Sequence, residues 1–127
     1  MGRKQNFPPE LWNRAKAEMR GVLVRCARKR RMITYATLAQ LVRTIRFRQR
    51  DFAFHEMLGE ISEQEDAVRP VRRGMLSAVV VYKYEEMRPG EGFFRLAKKL
   101  GRDTSDRDKC WLDELRRVWR YWATHKQ

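Results

Sequence analysis

MITYATLAQLV, residues 32–42, combines a short apolar step with the start of a helix. Met32 and Ile33 are β-like, and the hydroxyl of Thr34 is suited to accept a hydrogen bond from the first turn of a helix. The residues that follow place apolar side chains at helical spacing: Ala36, Leu38, Ala39, Leu41 and Val42. The stretch therefore predicts a very short strand followed by a helix over about 35–43.

Helical periodicity continues on both sides of this stretch. Upstream, two prolines at 8 and 9 precede apolar residues at 3.6-residue spacing, which predicts a first helix over about 9–30. Downstream, Asp51 is placed to cap a third helix over about 52–65. Between them, residues 45–50 alternate apolar and arginine side chains, a pattern typical of either a short strand with an arginine face or a basic loop.

The second half of the chain adds one strand and two helices. The continuous apolar run 75–82 predicts a strand that is buried on both faces. Phenylalanines and aliphatic residues predict a short helix over about 93–100. Ser105, with Asp108 three residues later, resembles a capping box and predicts a final amphipathic helix over about 106–124.

The order of these elements, helix, strand, helix, helix, strand, is that of a winged helix, a helix-turn-helix with a β-hairpin appended. We therefore expect an α+β fold that is mostly helical and winged-helix-like, with about five helices and a small β-sheet. A chain of 127 residues buries one core but hardly two. Residues 1–127 are accordingly expected to form a single domain that ends in an amphipathic helix.

The charge is strongly basic and unevenly distributed. The chain has 29 Lys and Arg against 16 Asp and Glu, a net charge of +13, and its 43% apolar residues exclude a disordered polyelectrolyte. Residues 1–50 carry 14 basic and 2 acidic side chains (14 − 2 = +12), whereas residues 51–66 carry six acidic and none basic. Such an excess indicates an anionic partner, nucleic acid before a membrane surface. Arginine suits bidentate phosphate contacts, although a GC-rich genome also enriches it.

At residues 33–39 the sequence resembles the start of the helix-turn-helix in the alkylguanine-DNA alkyltransferase and alkyltransferase-like family, where a β-step, a capping Ser or Thr, a Tyr and a Leu-Ala pair open the motif. The resemblance covers about residues 32–82 and implies a DNA-binding winged helix in which Tyr35 helps rotate a nucleotide out of the duplex. The family's reactive Pro-Cys-His-Arg box has no counterpart in residues 75–81, so alkyl transfer is not implied. The second half also resembles small uncharacterised bacterial and phage proteins, to which no activity is attached.

The acidic third helix stands where a winged helix normally reads bases, and its carboxylates would weaken binding if they faced phosphates. In one interpretation, these acids pair internally with the arginines of 69–73 or with the C-terminal helix, which leaves the first helix and residues 46–50 as the DNA surface. In the other, the acidic face is a docking site for a protein partner through three side chains: Glu56, Glu60 and Glu63.

We expect a non-catalytic protein that binds double-stranded DNA, as a bacterial or phage regulator or accessory factor. The predicted contacts are basic side chains of the first helix and the later loop, with two residues near the groove: Arg20, Arg25, Arg28, Lys29, Arg30, Arg31, Arg46, Arg48 and Arg50, with Tyr35 and Thr37. The alternative is an RNA-associated or protein-bound subunit that uses its basic N-terminus for RNA and the acidic helix 52–65 for a protein.

A metal-dependent nuclease is a weaker alternative, based on five acids: Glu85, Glu86, Asp103, Asp106 and Asp108. The three aspartates also fit the start of a helix, so we expect no catalytic residue, no metal and no cofactor. Cys26 and Cys110 fall in apolar stripes and are expected to be buried free thiols. No apolar run approaches the roughly 20 residues of a membrane span, and a cytoplasmic protein without a membrane partner is expected.

Overall fold

Five helices and a two-stranded parallel sheet are formed by residues 7–84 and 86–125, the part of the chain that the computed structural model describes. The helices are α1 (Pro9–Arg28), α2 (Tyr35–Leu41), α3 (Phe52–Asp66), α4 (Glu91–Lys99) and α5 (Arg107–Thr124). The strands are β1 (Ile33–Thr34) and β2 (Val80–Val81), and a 3₁₀ helix, Leu76–Val79, leads directly into β2. The mostly helical α+β class is thus confirmed, and all five predicted helices are present close to their predicted bounds.

The N-terminal caps predicted for α2, α3 and α5 can be compared with the hydrogen bonds at the starts of these helices. Thr34 Oγ1 accepts a hydrogen bond from Thr37 N at 3.1 Å, so the cap of α2 is confirmed. Asp51 stands at the N-cap position of α3, but its carboxylate accepts from a backbone amide three residues upstream, at 2.8 Å. The prediction of Ser105 as the cap of α5 is wrong, because Asp106 occupies that position and accepts from an amide of the first turn at 3.1 Å.

The apolar run 75–82 is buried as predicted but is mostly not a strand. Residues Leu76–Val79 form the 3₁₀ helix, and β2 is the one named strand in the run, in parallel register with β1. A continuous apolar run fits a buried helical turn as well as a buried strand, because both remove every side chain from water. The sequence pattern alone could not separate the two.

Two further segments bear on the winged-helix prediction and on the arginine strand. Tyr82 and Arg88 form a single antiparallel bridge at the place of a wing hairpin, and a winged helix therefore stays a prediction. The strand alternative for residues 45–50 is wrong, because these residues form a loop. Ile45 and Phe47 alternate with arginines in this loop because both pack into the core.

The core is built from three long helices around the 3₁₀ helix. α1, α3 and α5 all contact this segment, and α1 also contacts both of the other helices. Fully burying one large apolar side chain contributes about 1.5–3 kcal/mol. The largest such side chains come from several elements: Met19, Leu23, Leu38, Phe54, Met57, Ile61 and Met75. This packing fixes α1 and α3, the two helices that carry most of the uneven charge.

One arginine ties several segments together. Arg102 donates two hydrogen bonds to the Asp66 carboxylate at 2.7 and 2.9 Å, two to Glu114 at 2.7 and 3.0 Å, and one to the Leu100 carbonyl at 3.2 Å. These five bonds use every N–H that a guanidinium has. Glu114 also accepts from Met75 N at 2.8 Å. The network therefore joins the end of α3, the turn after α4, α5 and the segment before the 3₁₀ helix.

Acid should weaken the fold through Asp66. The hydrogen bonds from Arg102 hold the pKa of Asp66 below its ordinary value of 3.8. A carboxyl with a depressed folded pKa stabilises the fold above its unfolded pKa, and this contribution is lost as the pH falls through the folded pKa. We expect the free energy of unfolding, measured in urea, to fall below about pH 4, and to fall less steeply in Asp66→Asn. The same acid dependence in both proteins would contradict the assignment to Asp66.

Candidate nucleic-acid interface

The acidic side chains of α3 are held mainly by the protein's own cations. Glu60 pairs with Lys16 at 3.0 Å. Glu65 pairs with Arg20 at 2.8 Å and with Arg73 at 3.0 Å. The aspartate at the end of α3 belongs to the buried network described above. The structure thus shows internal pairing, but two of the partners come from α1 and not from the segments that the sequence suggested.

This pairing removes two residues from the predicted DNA surface. Arg20 is occupied by its ion pair with Glu65. The guanidinium of Arg28 lies 5.6 Å from the centre of the Trp122 ring, and its Nε is buried. Arg20 is committed to Glu65 and Arg28 packs on Trp122, so we correct the predicted set by leaving both out.

The three acids predicted to dock a protein partner have different surroundings. Glu60 is paired with α1, and it accepts a second hydrogen bond from Trp12 Nε1 at 2.9 Å. Glu63 is 43% exposed and lies 3.5 Å from Lys99 Nζ. Glu56 is half-buried at the start of α3. These acids therefore do not present one exposed, unpaired face.

Tyr35 is a core residue, and its predicted place near the DNA groove is wrong. Its side chain is 2% exposed, and its hydroxyl accepts a hydrogen bond from Gly90 N at 2.9 Å. Its ring packs 4.2 Å from that of Tyr82. A Cβ at Gly90 would stand 2.8 Å from the Tyr82 ring, so this close packing requires glycine. Thr37, by contrast, is exposed on α2.

One face of α1 carries a row of charged side chains along its length. At about 100° per residue, Arg14, Glu18, Arg25 and Lys29 fall within about 60° of one another. The three cations are exposed, and Glu18 is half-buried. At about 1.5 Å per residue, this row is about 22 Å long.

The loop after α2 is anchored on this row by Glu18. The carboxylate accepts hydrogen bonds from Arg43 N at 2.9 Å, from Thr44 N at 3.0 Å and from the Thr44 hydroxyl. The hydroxyl bond is the main cause that lowers the pKa of Glu18 below its ordinary 4.5. Further along the loop, Phe47 packs against Phe7, next to the start of α1. The loop therefore runs along α1, beside its charged row.

α1 ends in a left-handed turn built on arginine. Arg31 N donates to Cys26 O at 2.9 Å, and Arg30 between them has a φ of 52°. This arrangement is a Schellman motif, in which glycine is usual because a Cβ costs about 1–2 kcal/mol in the left-handed region. Strain of this kind is a reason to look for a function of the side chain.

We define the basic stripe as the exposed cations of α1, of its C-terminal turn and of the adjoining loop: Arg14, Arg25, Lys29, Arg30, Arg31, Arg43, Arg46 and Arg48. Within residues 7–84 and 86–125, none of these eight side chains forms an ion pair closer than 4.0 Å. Six of them were predicted from the sequence, and Arg14 and Arg43 were missed. Arg50 was also predicted, but we do not include it in the basic stripe, because its guanidinium lies 4.6 Å from the centre of the Tyr82 ring.

The three aspartates considered for a nuclease lie at or just before the start of α5, and Glu86 is exposed in the turn before α4. Asp103 accepts from Ser105 at 2.7 Å, Asp106 caps the helix, and Asp108 pairs with an arginine at 3.2 Å. Glu85 lies outside the described residues. Within them, no group of three or more His, Cys, Asp or Glu side chains is placed to hold a metal ion.

The two cysteines are free thiols. Cys26 is half-buried and Cys110 is buried. Burial raises the pKa of both thiols, which disfavours the reactive thiolate. Among the described helices, none has the length and apolarity needed to cross a membrane.

No known protein family, curated protein or solved structure matches the chain. The functional interpretation therefore depends on the geometry and charge of the basic stripe.

Proposed function

We propose that this protein binds the phosphate backbone of double-stranded DNA with the basic stripe. The observation that supports this is the separation of charge. Eight exposed cations that form no ion pair with any described residue lie along α1 and the loop beside it, while most acids of α3 are paired with other cations. A surface of one sign attracts a polyanion and fixes its orientation.

The dimensions of the stripe suit a DNA strand. Each strand of a duplex carries one phosphate per about 3.4 Å of helix axis, so a row about 22 Å long lies beside about six phosphates. Arginine is well suited to this contact because its planar guanidinium binds phosphate oxygens in pairs. Backbone contacts position a protein without reading bases, so we propose binding that depends weakly on sequence. The duplex lies against α1 and the loop, and not against α3.

RNA is the alternative partner, because it carries the same phosphates. The length of the row on α1 is matched to the phosphate spacing of B-form DNA, whereas A-form RNA has a different groove and backbone geometry. In a mobility-shift competition, unlabelled duplex DNA should therefore displace a labelled DNA duplex at a lower concentration than structured RNA of the same length does. Stronger displacement by RNA would favour the RNA-associated alternative, and a failure to bind either nucleic acid would contradict the proposal.

Replacing Arg30 by glycine should separate binding from folding. The substitution removes one cation and relieves the left-handed strain, so the free energy of unfolding should stay equal or rise by up to about 1 kcal/mol. DNA affinity should fall several-fold, and the slope of log K against log salt should become less negative by about 0.9. Urea denaturation and fluorescence anisotropy on one preparation measure the two effects. Unchanged affinity would exclude Arg30 from the interface, and Arg116→Ala on exposed α5 surface is the control.

A further inference from the structure

A cleft opens between the starts of α3, α4 and α5. Its volume is about 830 Å³, within the range of sites that bind small ligands. A second hollow of about 400 Å³ continues it. The two share three side chains, Arg88, Asp108 and Trp111, so together they form one extended groove.

This groove adjoins the basic stripe at both ends. Arg50 lines the larger hollow and follows Arg48 of the stripe by two residues. Met32 lines the smaller hollow and directly follows Arg31 of the stripe. A nucleic-acid strand held by the stripe can therefore continue into the groove.

The walls of the groove expose apolar side chains that a folded chain normally buries. Phe52, in the larger hollow, is 69% exposed. Met32, Met87 and Leu112 line the smaller hollow and are also exposed. Four of the seven large apolar side chains that are exposed among the described residues thus lie in this groove. Such a concentration marks a binding surface, and unpaired bases offer the flat apolar faces that a duplex hides.

The arginines of the larger hollow are readily available to an anion. Arg88 pairs with Asp108 at 3.2 Å, and Arg107 pairs with Glu91 at 2.5 and 2.7 Å. All four side chains are at least half exposed, and ion pairs in such positions contribute little to stability. A phosphate can therefore replace either carboxylate as the partner. Arg95 also lines this hollow and is exposed.

One carboxylate oxygen in the groove receives no hydrogen bond from the described residues. Glu56 Oε1 is buried and has no partner among residues 7–84 and 86–125. Glu56 follows Phe52 by four residues on α3, so the two side chains lie on the same face of the helix, and both line the larger hollow. A base stacked on Phe52 would direct its edge toward Glu56. Amino groups of guanine, cytosine and adenine supply the donors that this carboxylate lacks.

We infer that this groove binds an unpaired strand of nucleic acid, so that the preferred partner is a duplex with a single-stranded end. The inference rests on the proposed function, because the basic stripe holds the duplex part. The first unpaired base stacks on Phe52 and donates a hydrogen bond to Glu56. The phosphates of the unpaired strand bind Arg95 and Arg107.

Two DNA probes test the inference by fluorescence anisotropy: a blunt duplex, and the same duplex with a short single-stranded overhang. The protein should bind the overhang probe about tenfold more tightly, which is the usual effect of one stacked base. Phe52→Ala should abolish this preference and leave the affinity for the blunt duplex unchanged. Because Phe52 is mostly exposed, its truncation spares the core. Val71→Ala, at an exposed apolar residue outside the groove, should keep both affinities.

Glu56→Gln gives a second readout. It should weaken binding of overhangs whose bases carry amino groups more than binding of an abasic overhang, which offers Glu56 no base donor.

The outcomes separate the two proposals. Equal affinity of the unaltered protein for both probes would overturn the groove inference and leave the proposed DNA binding intact. A preference that survives in Phe52→Ala would also overturn it, because the unpaired base would then not stack on Phe52. Failure to bind any probe would overturn both.

Discussion

Arg102→Ala should lower the free energy of unfolding by about 3–5 kcal/mol, the usual loss when one partner of a buried ion pair is removed. The side chain of Glu114 is 2% exposed and that of Asp66 is 9% exposed. The substitution would therefore leave Glu114 out of water without its cation, and Asp66 with only the 3.7 Å contact to Arg72. Domains are stable by only about 5–15 kcal/mol. The variant should therefore be close to unfolding at physiological temperature.

Urea denaturation followed by tryptophan fluorescence measures this loss, as a lower midpoint at an unchanged slope. Arg116→Ala is the matched control, because Arg116 is exposed, and it should change the free energy by no more than about 0.5 kcal/mol. Adding Asp66→Asn and Glu114→Gln to Arg102→Ala removes the two carboxylate charges that Arg102 neutralises. This triple variant should recover part of the lost free energy of unfolding. A loss below about 1 kcal/mol in Arg102→Ala would contradict the role assigned to the network.

The helices could be predicted from the sequence because their signals are local. Apolar spacing and a threonine cap define α2 within a few residues. The run 75–82 was predicted less well, because an apolar segment in the centre of a core shows no period that separates a strand from a helical turn. Residues 45–50 alternate like a strand, but the alternation reflects two anchors in the core, Ile45 and Phe47.

The pairing of charges could be predicted only in part, because it depends on which helices touch. Lys16 and Arg20 stand about one turn apart on α1, and Glu60 and Glu65 stand five residues apart on α3. The similar spacing of the two cations and the two acids is consistent with their pairing, but it predicts the pairing only once the contact between α1 and α3 is known. Glu114 also left a signal, since an acid within the apolar stripe of α5 is expected to have a buried partner. Nothing local marks Arg102 as that partner.

Replacing four cations of the basic stripe with glutamine should weaken duplex binding by about 10²- to 10³-fold near 0.1 M salt. The chosen set takes two positions from α1 and its cap and two from the loop: Arg25, Lys29, Arg46 and Arg48. Each phosphate contact contributes about 0.9 to the salt slope, so the loss of four should reduce its magnitude by about 3.6. These side chains are exposed and make no ion pair within the described part of the chain, so the fold should be unaffected.

The control for this variant changes the net charge equally at other sites. Four exposed cations of α4 and α5 serve this purpose when replaced with glutamine: Lys98, Lys99, Arg116 and Arg120. If DNA is held by the basic stripe, this protein should retain most of its affinity. Equal losses in the two variants would mean that net charge, and not the stripe, determines binding.

The salt dependence of duplex affinity in the unaltered protein tests directly whether the basic stripe binds DNA phosphates. The proposed binding places about six phosphates beside the stripe, so log K should fall linearly with log salt with a slope of about −5. A slope near zero, or no measurable binding at low salt, would contradict the assignment of the basic stripe as a nucleic-acid interface.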